Sequence, residues 1–232
     1  MDLIAAGLRQ ALGLLLGGDP EIWAVLRLSL LVSGTATFLA LLLGIPAGVA
    51  LALTRFSGRT LLVSAVNSGM GLPPVVVGLF VTLLLWRSGP FGGWEILYTP
   101  AAIIIAQAAI AAPIVTGITL AAVQGVPEAF RLQLLGLGAS RVQMVWVVLR
   151  EARLPMLAAV MAGFGGIISE IGASMMVGGN IKGQTRTLTT ATVLETSKGN
   201  FDAAIALSIL LLALVFAVNW ALTAIQQRPS SS

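Results

Sequence analysis

Five long runs of apolar residues dominate the chain, separated by stretches rich in glycine, proline or charge. They extend over about Trp23–Leu53, Thr60–Trp86, Leu97–Val123, Leu154–Val177 and Ala203–Ile225. A helix needs about 20 apolar residues to cross a hydrocarbon core, and every run reaches that length. The backbone of a lipid-embedded segment has to satisfy its own hydrogen bonds, which a helix does. The pattern therefore predicts an all-α integral membrane protein with five transmembrane helices. Arg27 interrupts the first run near its start, and Glu170 is the one charged residue in the middle of a run.

Residues 1–20 read as a separate N-terminal interfacial helix. Ile4, Leu8, Leu12 and Leu15 share one helical face, with Asp2, Arg9 and Gln10 elsewhere, a pattern suited to lying in the membrane surface. Asp2 replaces the basic start of a signal peptide and no small-residue cleavage site follows, so a cleaved leader fits poorly. The Gly17-Gly18-Asp19-Pro20 break precedes the transmembrane domain, residues 21–226, and a polar tail occupies 227–232.

Composition agrees: 57% of the residues are hydrophobic and 9% charged, against roughly 25% charged in soluble domains. The chain has no Cys and no His. Thiolate chemistry, cysteine-ligated metals and the usual neutral-pH base are thereby excluded, and no cofactor or metal is expected. The net charge of +4 comes from 11 Arg and 2 Lys against 9 acids. In a membrane protein such an excess fixes orientation, and it gives no reason to expect nucleic acid. The arginines of the short first connection (Arg55, Arg59) and of the 124–153 connection (Arg131, Arg141, Arg150, Arg153) place those segments and the C terminus in the cytoplasm, with the N terminus outside the cell membrane. A phosphate-binding P-loop needs Gly-Lys before Ser or Thr, and Lys182 and Lys198 follow Ile181 and Ser197. If ATP drives this protein, the ATPase is another subunit.

Gly44 and Pro46 interrupt the first run, Gly71, Pro73, Pro74 and Gly78 the second, and Pro113 and Gly117 the third. Gly163, Gly165, Gly166 and Gly172 fall in the fourth. Such residues let helices approach closely, or free carbonyls that need a neighbour. Spans two to four are expected to line an interface or pathway, with the Leu-rich fifth facing lipid. Glu170 admits three readings: a proton relay, a cation site, or a hydrogen-bonded structural or gate residue. The first two need ionisable partners that no run supplies, so the third is preferred.

The 124–153 connection contains Val126-Pro-Glu-Ala-Phe-Arg-Leu-Gln-Leu-Leu-Gly-Leu-Gly-Ala-Ser-Arg141. Pro127 and Glu128 suit the first turn of a helix, and Gly136 and Gly138 can end it. A basic amphipathic segment follows to Arg153. The segment reads either as an interfacial helix or as a docking element for a cytoplasmic partner, and the second is favoured.

Pro127-Glu128 followed by Leu137-Gly138-Ala139-Ser140-Arg141 resembles the EAA loop of ABC importer permeases, where it forms a coupling helix seated in the ATPase. The Glu-Ala-Ala positions fall on Leu132, Gln133 and Leu134, and the closing Leu-Pro is present late, as Leu154-Pro155. Leu72-Pro73-Pro74-Val75-Val76-Val77-Gly78, Ser169-Glu170-Ile171-Gly172-Ala173 and Gly179-Asn180-Ile181 resemble the molybdate/tungstate/sulfate branch. Thr185-Arg186-Thr187-Leu188-Thr189 and Leu194–Phe201 look most like its tungstate members.

The resemblance implies the small ABC importer permease fold, working by alternating access as a homodimer. The implied partners are two ATPase subunits and an extracytoplasmic oxyanion-binding protein. It places coupling on Glu128, Arg131, Leu132, Gln133, Leu134, Leu135, Gly136, Leu137, Gly138 and Ala139. Pathway or gate roles fall to Ser169, Glu170, Gly172, Ser174, Pro73 and Pro74. An ionised Glu170 would repel a dianion, so direct ligation is not expected of it. Molybdate or sulfate is the alternative substrate within the class, and an ion-coupled secondary transporter the alternative outside it.

Overall fold

The computed structural model describes residues 7, 9, 11, 13 and 17–227. Ile4, Leu8, Leu12 and Leu15 of the expected interfacial helix, and the tail from Arg228, lie outside the described residues. Between Pro20 and Gln226 the chain forms ten α-helices and one short 3-10 turn. These are α1 (Pro20–Leu53), α2 (Arg59–Met70), α3 (Pro74–Leu85), the 3-10 turn Gly92–Trp94, α4 (Pro100–Gln124), α5 (Glu128–Gly136), α6 (Arg141–Glu151), α7 (Arg153–Ile168), α8 (Gly172–Gly178), α9 (Leu188–Ser197) and α10 (Phe201–Gln226).

Three expected spans are continuous helices: α1, α4 and α10. The other two are broken: α2 and α3 meet at 104°, α7 and α8 at 59°. Pro73 has no N–H to donate and pushes Leu72 out of the helical region, so α2 stops at Met70 and the chain restarts at Pro74. In the fourth span Ser169 turns its hydroxyl back onto the carbonyls of Gly165 (2.9 Å) and Gly166 (3.2 Å). That local bond competes with continuing the helix.

α1 begins where Asp19 accepts from the N–H groups of Glu21 and Ile22, with Pro20 in the first turn. Its pairing with α4 forms the centre of the bundle. A Cβ on Gly44 would lie 2.8 Å from Val115, and one on Gly48 2.7 Å from the Thr116 carbonyl, so glycine sets this close approach. Val32, Ala36 and Ala40 of α1 are buried with Ala102, Ile103, Ala106 and Val115 of α4.

The 178–202 connection holds α9. Thr187 and Thr190 form a capping box at its start, and the Leu188 N–H donates to Ser29 Oγ of α1 at 2.8 Å. At its far end Glu195 accepts from Lys198 and Asn200, both at 2.8 Å. These two bonds, the lysine first, hold its carboxyl below the ordinary range. On α10, expected to face lipid, Leu212, Phe216 and Trp220 are exposed, while Ala206, Leu207 and Leu210 are packed with Leu188 and Ala191 of α9.

Candidate functional site

The two helix breaks face each other. α3 packs on α8 so closely that a Cβ on Gly78 would sit 2.7 Å from Ala173 Cα, and one on Gly172 2.5 Å from Val75 Cγ2. Pro73 and Pro74, which create the first break, thus lie at the start of the helix that holds the second. Glu170 stands in that second break, half-buried. Its Oε1 accepts from the Ala173 N–H at 2.9 Å, capping α8, and its own carbonyl accepts from Thr189 Oγ1 at 3.4 Å. Ser169 is exposed and occupied by its back-bonds, whereas Ser174 is buried. The Glu170 N–H also donates to the Ile167 carbonyl at 3.1 Å, so its bonds among the described residues are all made within the chain.

Behind the break lies a buried polar knot centred on Gln107 of α4, which is 2% exposed. Its Oε1 accepts from Ser33 Oγ of α1 at 3.1 Å, and its Nε2 donates to the Ile167 carbonyl at 3.0 Å and to Ser174 Oγ at 3.3 Å. One amide thereby joins α1, α4, α7 and α8. Gln107 carries no charge, and its only mark in the sequence is being the lone amide of the apolar run Ala101–Ala112.

The beginning of α8's outgoing turn is also tied down. Tyr98 N–H donates to the Val177 carbonyl at 2.8 Å. Thr185 Oγ1 donates to the Gly178 carbonyl at 2.6 Å and accepts from Ile181 N–H at 2.9 Å. Gly179 and Asn180 both take positive φ there, which is what the Gly-Asn-Ile sequence supplies.

The second region is the projection formed by α5 and α6. Pro127 sits just ahead of α5 rather than inside its first turn, and Glu128 opens the helix. Glu128 pairs with Arg55 at 3.8 Å, linking α5 to the first connection. The helix is stopped by Gly138, at φ +87°: Ala139 N–H bonds the Leu134 carbonyl and Gly138 N–H the Leu135 carbonyl, each at 3.0 Å. This is a Schellman ending. Gly136 is the last helical residue and needs no special φ. Ser140 then starts α6 through a capping box with Gln143. The Leu137-Gly138-Ala139-Ser140-Arg141 run is a helix stop followed at once by a helix start.

Phe130 packs on the buried group Val123, Val126, Val148 and Ala152, anchoring the projection to α4 and α6. Leu132 (61% exposed), Gln133, Leu135 and Leu137 (85% exposed) point away from it. Leu134 is half-buried, and so is Arg131, whose Nε is buried without a hydrogen-bond partner among the described residues.

Broken spans around a buried polar knot, joined to a two-helix projection with an apolar outer face, define a membrane subunit of a transport system. Residues 40–231 match the family of binding-protein-dependent transport system inner membrane components, and the chain belongs to that family. It is 42% identical over 201 residues to a probable anion ABC transporter permease of Haloferax volcanii, covering 84% of this chain and 87% of that one. It is 38% identical over 229 residues to the tungstate uptake system permease TupB of Peptoclostridium acidaminophilum, covering 98% and 100%. The molybdenum transport permease ModB of Escherichia coli K12 is 30% identical over 196 residues, covering 80% and 85%. The fold is shared with the inward-facing MetNI methionine ABC transporter, at a TM-score of 0.73 and 21% identity over 90% of this chain and 97% of that one. The chain is a membrane-embedded permease subunit and not an enzyme.

Proposed function

We propose that this chain is the permease of an ATP-driven, binding-protein-dependent oxyanion importer whose substrate is tungstate. The observation that carries the reading is the end-to-end match to a tungstate uptake permease, which covers 98% of this chain and all of that one. Molybdate is the second reading, supported by the shorter match to ModB.

Two copies of the chain enclose the pathway, with α5 in the cytoplasm and the start of α1 outside. Leu132, Gln133, Leu135 and Leu137 dock on the ATPase, and Glu128 with Arg131 orient α5. Closure of the ATPase dimer moves α5 and α6. Only Ala152 separates α6 from α7, so the motion is carried along α7. That helix has 16 residues and spans about 24 Å. It ends at the Ser169–Ile171 break, where Pro73, Pro74, Gly172 and Ser174 surround the gate. Glu170 holds α8 in shape without touching the dianion, and the exposed Ser169 offers it transient contacts, whereas Ser174, expected in the same role, is buried and bonded to Gln107. An extracytoplasmic binding protein supplies the oxyanion.

The test is uptake in proteoliposomes holding the permease, its ATPase and its binding protein. ATP-dependent tungstate accumulation, suppressed less by equal molybdate and least by sulfate, is the expected result. Accumulation driven by an ion gradient without ATP would overturn the class, and preferred accumulation of molybdate would overturn the substrate.

A further inference from the structure

Three cations gather at the end of the bundle opposite α5. Arg27 projects from α1, and Lys182 and Arg186 come from the connection after α8, around a pocket of about 600 Å3. Glu21 is the single carboxylate in its lining. It pairs with Lys182 at 2.7 Å and stands 3.8 Å from the Arg186 guanidinium. One carboxylate in the lining cannot neutralise three cations; Glu195, outside the pocket, interacts with Arg186 but is hydrogen-bonded to Lys198 and Asn200. Arg27 has no carboxylate within bridging distance among the described residues, and the Arg186 Nε is buried with no acceptor. A buried guanidinium N–H without a partner is costly and calls for an anionic oxygen.

Apart from Gln184 and Gly183 the rest of the lining is apolar, with Leu28 and Leu31 below Arg27. Below Leu31 the exposed side chains of Phe38 and Leu42 prolong the same helical stripe. Depth fits the same picture. α1 has 34 residues and is about 51 Å long, more than the roughly 40–45 Å of a whole bilayer with its headgroups. Its first turns therefore stand at headgroup level. Trp23, exposed one turn before Arg27, is the residue type that marks that level.

We propose that this pocket binds an anionic phospholipid, its headgroup phosphate held by Arg27, Lys182 and Arg186 and one acyl chain lying along the α1 stripe beneath. A free tetrahedral oxyanion shares the phosphate chemistry but would leave the leucine floor uncovered. The bound lipid bridges the start of α1 to the segment just after the Gly179-Asn180 turn, so it braces the outer end of α8. The site is separate from the gate, and its test does not depend on which oxyanion is carried.

The experiment is native mass spectrometry of the full-length permease in detergent, titrated with phosphatidylglycerol and phosphatidylcholine of equal chain length. Wild type should prefer phosphatidylglycerol roughly tenfold, and Arg27→Gln/Arg186→Gln should reduce this below about twofold. Arg27→Gln alone should lose about threefold of it; the residue is exposed and unpaired among the described residues, so its loss leaves the fold intact. Arg87→Gln, an exposed cation outside the pocket, should retain the full preference. No preference in wild type, or preference kept in the double variant, would overturn the site. Equal competition by glycerol phosphate or tungstate would show a small-anion site and overturn the acyl-chain contact.

Discussion

The Gln107 side-chain amide donates to the Ile167 carbonyl across 3.0 Å, one residue before α7 ends at Ile168 and the chain breaks. That carbonyl also accepts from the Glu170 N–H at 3.1 Å, in the turn that forms the break, and in a membrane no water fills its second lone pair. Gln107 supplies a second donor from a neighbouring helix, tying the break to α4, and its oxygen accepts from Ser33. Gln107→Leu removes these two bonds and the one to Ser174 Oγ while keeping the volume. It should cost about 2 kcal/mol, while Ser33→Ala should cost under about 1 kcal/mol. Thermal unfolding of the purified permease in detergent reads the difference, and equal effects would remove Gln107 from the centre of the knot.

The α3–α8 contact depends on the absence of side-chain bulk at one position. Any Cβ on Gly78 meets Ala173 backbone, which has no flexible end to give way. Gly78→Val should therefore cost about 2 kcal/mol or more in stability, by overpacking. Gly166→Ala, where a Cβ meets nothing within 4 Å, should be neutral or slightly stabilising. Melting temperatures of the two variants measured side by side decide this.

Glu170→Gln keeps an oxygen able to accept from the Ala173 N–H, and Glu170→Ala does not. The glutamine variant should keep stability and most of the oxyanion uptake. The alanine variant should lose about 1 kcal/mol, the usual value of a helix-start cap. Collapse of uptake in Glu170→Gln with assembly intact would show that the charge itself is needed.

What the chain made legible, and what it hid, follows from the range of the forces involved. Runs of apolar residues disclose spans because lipid acts on each residue separately, and α1, α4 and α10 lie where those runs are. The first break was visible as Pro73-Pro74, while the second lay inside a run read as one span; neither angle was readable, because packing of α3 on α8 sets them. α9 was missed since its face is covered by α1 and α10, and the Thr187–Thr190 capping box was the overlooked local signal. The α5 stop was readable at Gly138 by its chemistry, with Gly136 an equal candidate until φ distinguished them. The knot at Gln107 joins residues far apart in the chain, and only the fold brings them together.

Leu135 and Leu137 lie on the outward side of α5 and its closing turn, and both are exposed. Burying a leucine against a partner gains roughly 1.5–3 kcal/mol, and an aspartate there opposes burial. Leu135→Asp/Leu137→Asp should therefore weaken ATPase association at least tenfold and abolish ATP-dependent uptake. Its melting temperature should stay near wild type, because neither side chain belongs to the Phe130–Val148 packing that anchors α5. Co-purification of the ATPase with the variant, beside its thermal unfolding, separates the two effects. Unchanged ATPase binding would move the coupling surface off this face of α5. Lost binding together with a lowered melting temperature would assign these leucines to the fold instead.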